Sequence, residues 1–197
     1  MDGTTIADQG LNEYVRDHDQ QGLRTKVKGT IQLNQYELIE VYKNKLQSYS
    51  PEQLRRVTEQ GVWSLGQMYN HLILVAYEYL NHVETCMSEG EEQKCGKTEA
   101  GEQVYRLGRF PPIKIKLPDH LDNPNNSESK EDLTIGLDQL RQKMMEWEGK
   151  VDTVNPNYKF KHDGFGWLNA REWFDLIGMH FRHHLLQKSE LEQKLGI

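Results

Sequence analysis

Three histidines near the carboxyl end of the chain have the residue type and spacing that point most directly to chemistry. His180 and His184 lie four positions apart in "GMHFRHHLLQ", with His183 between them. On a helix, residues four apart share a face with Cβ atoms about 5–6 Å apart, so two imidazoles can reach one metal ion. His183 is displaced by roughly 80° from the middle of that pair at 3.6 residues per turn. We therefore expect His183 to be dispensable for metal binding.

A third ligand has to come from elsewhere, because a catalytic zinc-type site uses three protein ligands and keeps one position open. His71, in "WSLGQMYNHL", lies beside the core positions Met68 and Leu72 and faces inward by the same periodicity. Helix bundles commonly hold metals between facing helices. The sequence therefore predicts a metal site formed by His71, His180 and His184.

Two kinds of metal site can be excluded from the sequence, and an interpretation without metal competes with the prediction. No Glu follows His180, so the HExxH motif of zinc proteases is missing, and no inward ExxH pattern indicates a di-iron carboxylate site. A histidine on an apolar helix face is often a hydrogen-bonded core residue, and HxxxH also occurs on ordinary helices. His82 lies about three turns from His71 and is a poorer candidate. His18, His120 and His162 lie in polar segments and are expected to be solvated, although His162 could approach a site mouth.

Four long segments show the apolar periodicity of amphipathic helices. Three of them begin at a capping box, in which a side chain caps the helix and a residue three positions later reaches back: Ser64 with Gln67, Ser129 with Asp132, and Asn169 with Glu172. The first segment covers residues 31–49, and "SPEQLRR" predicts a short helical turn after it. The predicted core stripes are Leu38, Tyr42, Leu46 and Tyr49; Leu65, Met68, Leu72, Val75 and Tyr79; Leu133, Leu137, Leu140, Met144 and Trp147; and Trp173, Ile177, His180, His184, Leu191 and Leu195.

The connections between these segments indicate the topology. About 40 residues separate the second and third helices, whereas helix–helix connections usually have about 2–8. This stretch ends in "RFPPIKIKLP", where Ile113, Ile115 and Leu117 alternate and flanking prolines favour an extended segment or edge hairpin over a sheet. The sequence therefore predicts an all-α four-helix bundle with a long crossover between the second and third helices. The aromatic loop before the last helix is expected to fold back over the bundle.

Composition excludes several classes of protein. The formal net charge of −6 argues against a general nucleic-acid binder or a polybasic membrane anchor. No apolar run approaches the roughly 20 residues that span a bilayer. Residues 1–29 predict a polar N-terminal extension without a secretory signal, followed by one domain at 30–197. Cys86 and Cys95 form no CxxC pair and are expected to be reduced thiols in a cytoplasmic protein.

Three motifs resemble the DinB-like (YfiT-like) superfamily of metal-dependent enzymes: "WSLGQMYNHL", "RFPPIKIKLP" and "EWFDLIGMHFRHHLLQ". The last is similar to the family's H-x-x-H-H-x-x-Q ending, with His180 first, His184 as the last histidine and Gln187 at the glutamine. The likeness covers residues 32–195. It implies a four-helix bundle with a crossover, often dimeric, that holds Zn²⁺ or Ni²⁺ on His71, His180 and His184. Some members transfer low-molecular-weight thiols such as bacillithiol or mycothiol, or use them in isomerisation.

Three hypotheses of function follow. The first is an enzyme in which the metal activates a small thiol, or water, for attack on an electrophilic substrate. Phe160, Phe165, Trp167 and the "RFPPIKIK" segment would wall its pocket. Gln187, about one turn past His184, would orient a ligand or brace a metal-binding histidine from behind. No Glu or Asp beside the triad is evident as a general base, which favours a thiol S-transferase over a hydrolase. The second is a non-catalytic metal-binding or stress-associated bundle protein. The third is an interaction module whose histidines belong to the core.

Overall fold

The structure, a computed structural model, describes residues 25–27, 30–111 and 124–197. Most of these residues lie in helices: α1 (Gln35–Ser48), α2 (Pro51–Arg55), α3 (Leu65–Ser88), α4 (Glu99–Leu107), α5 (Lys130–Glu148) and α6 (Ala170–Leu195). A short 3-10 helix, Val151–Thr153, follows α5. The mostly helical architecture agrees with the predicted all-α class.

Capping side chains fix where the helices begin. The predicted boxes at Ser64, Ser129 and Asn169 are all formed, each side chain accepting a hydrogen bond from the backbone N–H three residues later. The short helix after α1 is confirmed as well. The predicted start of the first helix was wrong, because Asn34 caps α1 and the preceding residues 30–32 form a strand.

Two small antiparallel sheets add to the helices. Strand β1 (Thr25–Val27) pairs with β2 (Thr30–Gln32), and β3 (Glu91–Glu92), β4 (Tyr158–His162) and β5 (Gly166–Asn169) form a three-stranded sheet in that order. The sequence predicted no sheet, and the aromatic loop is in fact the β4–β5 hairpin. Gly166 begins β5 with a φ of 84°, a left-handed conformation that glycine adopts without strain.

The four long helices pack around one core, with α3 and α1 each contacting both α5 and α6. Helices α3 and α5 run parallel, because Ser64 is hydrogen-bonded to Asn126 just before α5, and Ile73 contacts Gly136 one and a half turns into it. A long connection is required to join parallel helices. Part of that connection forms α4, which the sequence analysis did not predict; Thr98 caps it, and it ends at Gly108 in the left-handed conformation.

The predicted apolar stripes form this core. Every stripe residue is buried except Val75 and Leu195, which are partly buried. The rings of Tyr42, Tyr69 and Phe181 meet edge to face, with centroids 5.5 Å and 5.3 Å from Tyr42. The stripes therefore fix the rotation of α1, α3 and α6 and with it the directions in which their polar core residues point.

Several predictions fall on residues that are not described. Residues 1–24 and 28–29 of the predicted extension, the alternating Ile113, Ile115 and Leu117, and His18 and His120 lie outside the described residues. The division of the chain at residue 29 therefore stays a prediction. Among the described helices, none is long and apolar enough to cross a membrane.

Candidate metal centre

Helices α3 and α6 bring three histidine side chains to one point. The Nε2 atom of His180 lies 3.2 Å from Nε2 of His71 and 3.0 Å from Nε2 of His184. One ligand atom from each of the three residues lies within 4.8 Å of the others, and no second group of three His, Cys, Asp or Glu side chains does so in the described ranges. The structure thus brings together the three residues that the sequence predicted as ligands.

The helix starts explain this convergence. The Ser64 box begins α3 about two turns before His71, and the Asn169 box begins α6 about three turns before His180. The two helices run antiparallel, since Tyr79 of α3 packs on Trp173 of α6 at a centroid distance of 5.5 Å. His71 therefore lies opposite the stretch of α6 that carries the other two histidines.

Burial keeps the three imidazoles neutral at physiological pH. His180 and His184 are 6% and 8% exposed, and His71 is partly buried. Burial first, and neighbouring histidines second, lower the pKa of His71 to about 4 and that of His184 to about 3. For the same reason the pKa of His180 lies well below its ordinary value. Neutral imidazole is the form that binds metals.

Hydrogen bonds among the three imidazole rings do not give every ring nitrogen a partner. A neutral imidazole has one N–H and one acceptor nitrogen. His184 uses Nδ1–H to donate to Oε1 of Gln187 at 2.5 Å, which leaves its Nε2 as an acceptor. His180 has one N–H, so its Nε2 can pair with only one of the two facing Nε2 atoms, and at least one Nε2 lone pair of the cluster finds no donor among the described residues. A divalent cation accepts several facing lone pairs at once, and the donor set of this cluster fits such an ion.

Gln187, the glutamine that ends the H-x-x-H-H-x-x-Q motif, contacts the cluster. Its side-chain oxygen fixes the His184 tautomer with the lone pair of Nε2 directed at the cluster. Metal-binding histidines usually donate their second ring N–H in this way, and the partner raises ligand basicity. The contact supports a role for Gln187 in orienting His184.

Aromatic side chains surround the cluster. The ring of Trp63 lies 4.9 Å from that of His71, and Phe110 and Tyr79 lie 6.1 Å and 6.0 Å from His180. Phe110 belongs to the "RFPPIKIK" segment that was expected to wall the pocket. Trp63 and Tyr79 were not predicted as site neighbours. Two features of the sequence could have indicated them: Trp63 directly precedes the Ser64 cap, and Tyr79 lies on the apolar stripe of α3.

The hairpin aromatics lie farther from the triad than expected. Phe165 packs on Phe110 at 5.4 Å, and so is one ring removed from His180. Phe160 packs on His82 and Trp173 rather than on a triad histidine. Trp167 is partly buried on β5. Of the predicted wall residues that the structure describes, Phe110 is the one whose ring packs on a triad histidine.

The remaining described histidines have other environments. His183 lies outside the cluster and packs on Phe110 at 5.5 Å. His82 lies between Phe160 and Trp173. His162 is partly buried rather than fully solvated: it stacks on Phe165 at 4.3 Å, and its Nδ1 accepts the backbone N–H groups of Gly164 and Phe165.

Comparison with known proteins places this centre in a family. The model of the DinB superfamily matches residues 37–187, a range that contains all three histidines and Gln187. The chain belongs to the DinB superfamily. It is also similar to the uncharacterized protein YuaE of Bacillus subtilis (strain 168), with 23% identity over 152 residues that cover 77% of this chain and 91% of YuaE. No solved structure matched the chain.

Proposed function

We propose that this DinB superfamily protein is a metal-dependent enzyme that holds Zn²⁺ or Ni²⁺ on Nε2 of His71, His180 and His184. The observation that carries the proposal is the convergence of three neutral imidazole nitrogens from two helices. Zinc and nickel both accept imidazole ligands. Three ligands from the chain leave an open position for a substrate.

We propose a small thiol as the group that takes this position. A bound divalent metal deprotonates a coordinated thiol and lowers the pKa of a coordinated water, so either is available as a nucleophile near neutral pH. In the described part of the chain, no carboxylate shares the cluster to serve as a general base. A thiol needs that base less than water does, so this environment supports a thiol S-transferase over a hydrolase.

The chain's own residues would orient and shield the reaction. Gln187 holds the His184 ring in one tautomer, and Phe110 and Trp63 cover the cluster with apolar surface. In the proposed transfer, sulfur forms a bond to an electrophilic carbon, the leaving group departs with its electron pair, and the thiol proton is released to solvent.

We also propose the family's assembly for this chain. Four long helices with α3 parallel to α5 support a four-helix bundle with one crossover. The homodimer stays a proposal that rests on the family. Light scattering coupled to gel filtration measures it, with twice the chain mass expected and the chain mass alone contradicting it.

Metal content tests the first part of the proposal. Protein purified without a histidine tag is expected to contain about one equivalent of zinc or nickel by atomic emission. Protein that cannot be loaded with either ion, even after incubation with an excess and removal of free metal, would contradict the site.

Thiol conjugation tests the second part. Loaded protein is mixed with a fluorogenic electrophile and, in turn, bacillithiol, mycothiol, glutathione, cysteine and coenzyme A. We expect faster conjugation with at least one thiol and loss of that rate after chelation. A protein that retains its metal but accelerates none of these reactions would support the non-catalytic metal-binding alternative.

A further inference from the structure

A second candidate site lies on the opposite side of α6 from the histidines. A cleft of about 240 Å³ is lined by Asp175, Gly178 and Arg182 of α6, by Gln35 at the start of α1, and by Gly108 at the end of α4. At 3.6 residues per turn, these α6 positions point away from His180 and His184. None of the three triad histidines lines the cleft.

Arg182 brings a cation with unused hydrogen-bonding capacity to this cleft. Its Nη1 donates to the carbonyl oxygen of Gly108 at 2.9 Å, whereas its Nε is buried without a hydrogen-bond partner. Among the described residues, Arg182 forms no close ion pair. Asp175 lines the same cleft and acts on Arg182 at longer range, which opposes the lowering of the Arg182 pKa by burial. Guanidinium groups form their strongest contacts with carboxylates and phosphates.

Asp175 brings an anion that is only partly compensated. It lies 3.6 Å from Nη1 of Arg171, but that guanidinium already makes two hydrogen bonds to Asp152 at 2.7 Å and 2.6 Å. Burial raises the pKa of Asp175 to about 6, which means that its surroundings disfavour the charged form. An added cation in the cleft would offset that cost.

Gly178 gives the two charges room between them. A Cβ atom at this position would lie 3.2 Å from Cβ of Gln35 and 3.5 Å from Nη2 of Arg182. A side chain here would therefore narrow the cleft beside the guanidinium. The volume of about 240 Å³ is below the range of about 300–1,000 Å³ of sites for drug-sized ligands, so the ligand should be smaller.

We propose that this cleft binds a small zwitterion of the α-amino-acid class, with its carboxylate on Arg182 and its ammonium group on Asp175. A carboxylate would accept hydrogen bonds from the Arg182 guanidinium, whose Nη2 lies beside Gly178. An ammonium group would pair with Asp175, whose neighbour Arg171 is already engaged with Asp152. The site does not depend on the metal, because it uses a different face of α6.

Backbone amide NMR tests the proposal. The ¹⁵N-labelled protein is titrated with each of the twenty proteinogenic amino acids, and separately with acetate, ethylamine and inorganic phosphate. We expect at least one amino acid to shift the amide signals of Gly108 and Gly178 saturably, with an affinity at least about tenfold higher than acetate or phosphate.

Variants separate this site from nonspecific effects. Arg182→Gln and Asp175→Asn are each expected to weaken binding at least about tenfold, and exposed Arg106→Gln serves as the matched control with unchanged binding. Gly178→Ala keeps both charges, narrows the cleft and should also weaken binding; circular dichroism verifies that each variant folds. The proposal is overturned if no amino acid shifts these signals, if phosphate or acetate binds as tightly, or if the folded cleft variants bind like the wild type.

Discussion

Two neighbouring stretches of α6 carry buried polar side chains on the same face and differ in how those side chains are satisfied. His180, His184, Lys188 and Glu192 follow one another at intervals of four, and all are buried. Lys188 donates to Oε2 of Glu192 at 2.9 Å, and Tyr49, directly after α1, donates to Oε1 at 2.6 Å. Nζ of Lys45 in α1 lies 3.3 Å from the same Oε1. The Lys188–Glu192 pair is thus completed by the chain itself.

The histidine stretch is not completed in this way. Its Nε2 atoms face one another across 3.0 Å and 3.2 Å, and His180 Nδ1 has no partner. Burial alone therefore does not distinguish a binding site from a structural cluster. The distinguishing feature is whether the buried polar atoms find their partners inside the chain or require one from outside.

Removal of a triad histidine should give the largest effect. His184→Ala and His71→Ala each leave two ligands from the chain, and we expect metal content to fall from about one equivalent to below about 0.1. Atomic emission after gel filtration measures it. Lys188→Met is the matched control on the same face and should retain the metal. Equal metal loss in this control would contradict the distinction between the histidine stretch and the Lys188–Glu192 stretch of α6.

Disruption of the Lys188–Glu192 pair should lower the free energy of unfolding and leave the metal content unchanged. Glu192→Ala leaves a buried ammonium group and a Tyr49 hydroxyl unpaired, so we expect the free energy of unfolding to fall by about 3 kcal/mol. Urea unfolding measures this change.

A second variant distinguishes the charge effect from lost packing. Lys188→Met combined with Glu192→Leu removes both charges and should restore part of the stability that Glu192→Ala loses, since the Tyr49 hydroxyl lacks its acceptor in both variants. A double variant as unstable as the single one would contradict the description of this pair as a self-contained structural unit.

Loss of the Gln187 contact should weaken metal binding without abolishing it. Gln187→Ala frees the Nδ1–H of His184, and partners of this kind are worth about 10–100-fold in metal affinity. Competition against a chromogenic chelator measures the affinity. An unchanged affinity would mean that the His184 ring is held by packing alone.

The metal-free protein should lose stability as pH falls from about 6.5. Folded His184 has a pKa of about 3, whereas an unfolded histidine titrates near 6.5, so the unfolded state binds more protons in this interval. Between pH 6.5 and 5 the His184 contribution should fall by about 1–2 kcal/mol. Urea titrations at several pH values give the free energy of unfolding of the wild type and of His184→Gln, and the difference between the two isolates the His184 contribution. If both free energies change with pH in parallel, His184 is not buried as a neutral group.

The smallest effect is expected at His183. This residue contacts Phe110 but lies outside the cluster, so His183→Ala should keep the full metal content. The same emission measurement tests it, and metal loss comparable to that of His184→Ala would require a different ligand set.

Much of the helical frame was predictable because its signals are local. Caps at Ser64, Ser129 and Asn169 and the apolar stripes set the starts and rotations of three helices, and the rotations of α3 and α6 direct His71, His180 and His184 inward. The convergence of these histidines therefore follows from periodicity, together with the assumption that the two helices are neighbours.

The remaining features depend on contacts between distant segments. A Lys–Glu pair at spacing four is typical of an exposed helix face. Its burial here depends on partners distant in sequence, because Tyr49 donates to Glu192 and Lys45 of α1 forms an ion pair with it. Helix α4 buries only Gly101 and Val104, too few residues to produce a clear stripe. Strand β4 exposes Tyr158 and Phe160, so it lacks the alternation that marks a half-buried strand. Strand β5 does alternate in burial, but it has only four residues.

X-ray absorption at the metal edge of the tag-free, metal-loaded protein tests the central claim most directly. We expect three imidazole nitrogens at about 2.0–2.1 Å from the metal when it is zinc, with the multiple-scattering pattern of histidine rings. Sulfur scattering in protein without added thiol, or fewer than three histidine rings, would contradict the assignment of His71, His180 and His184 as the ligands.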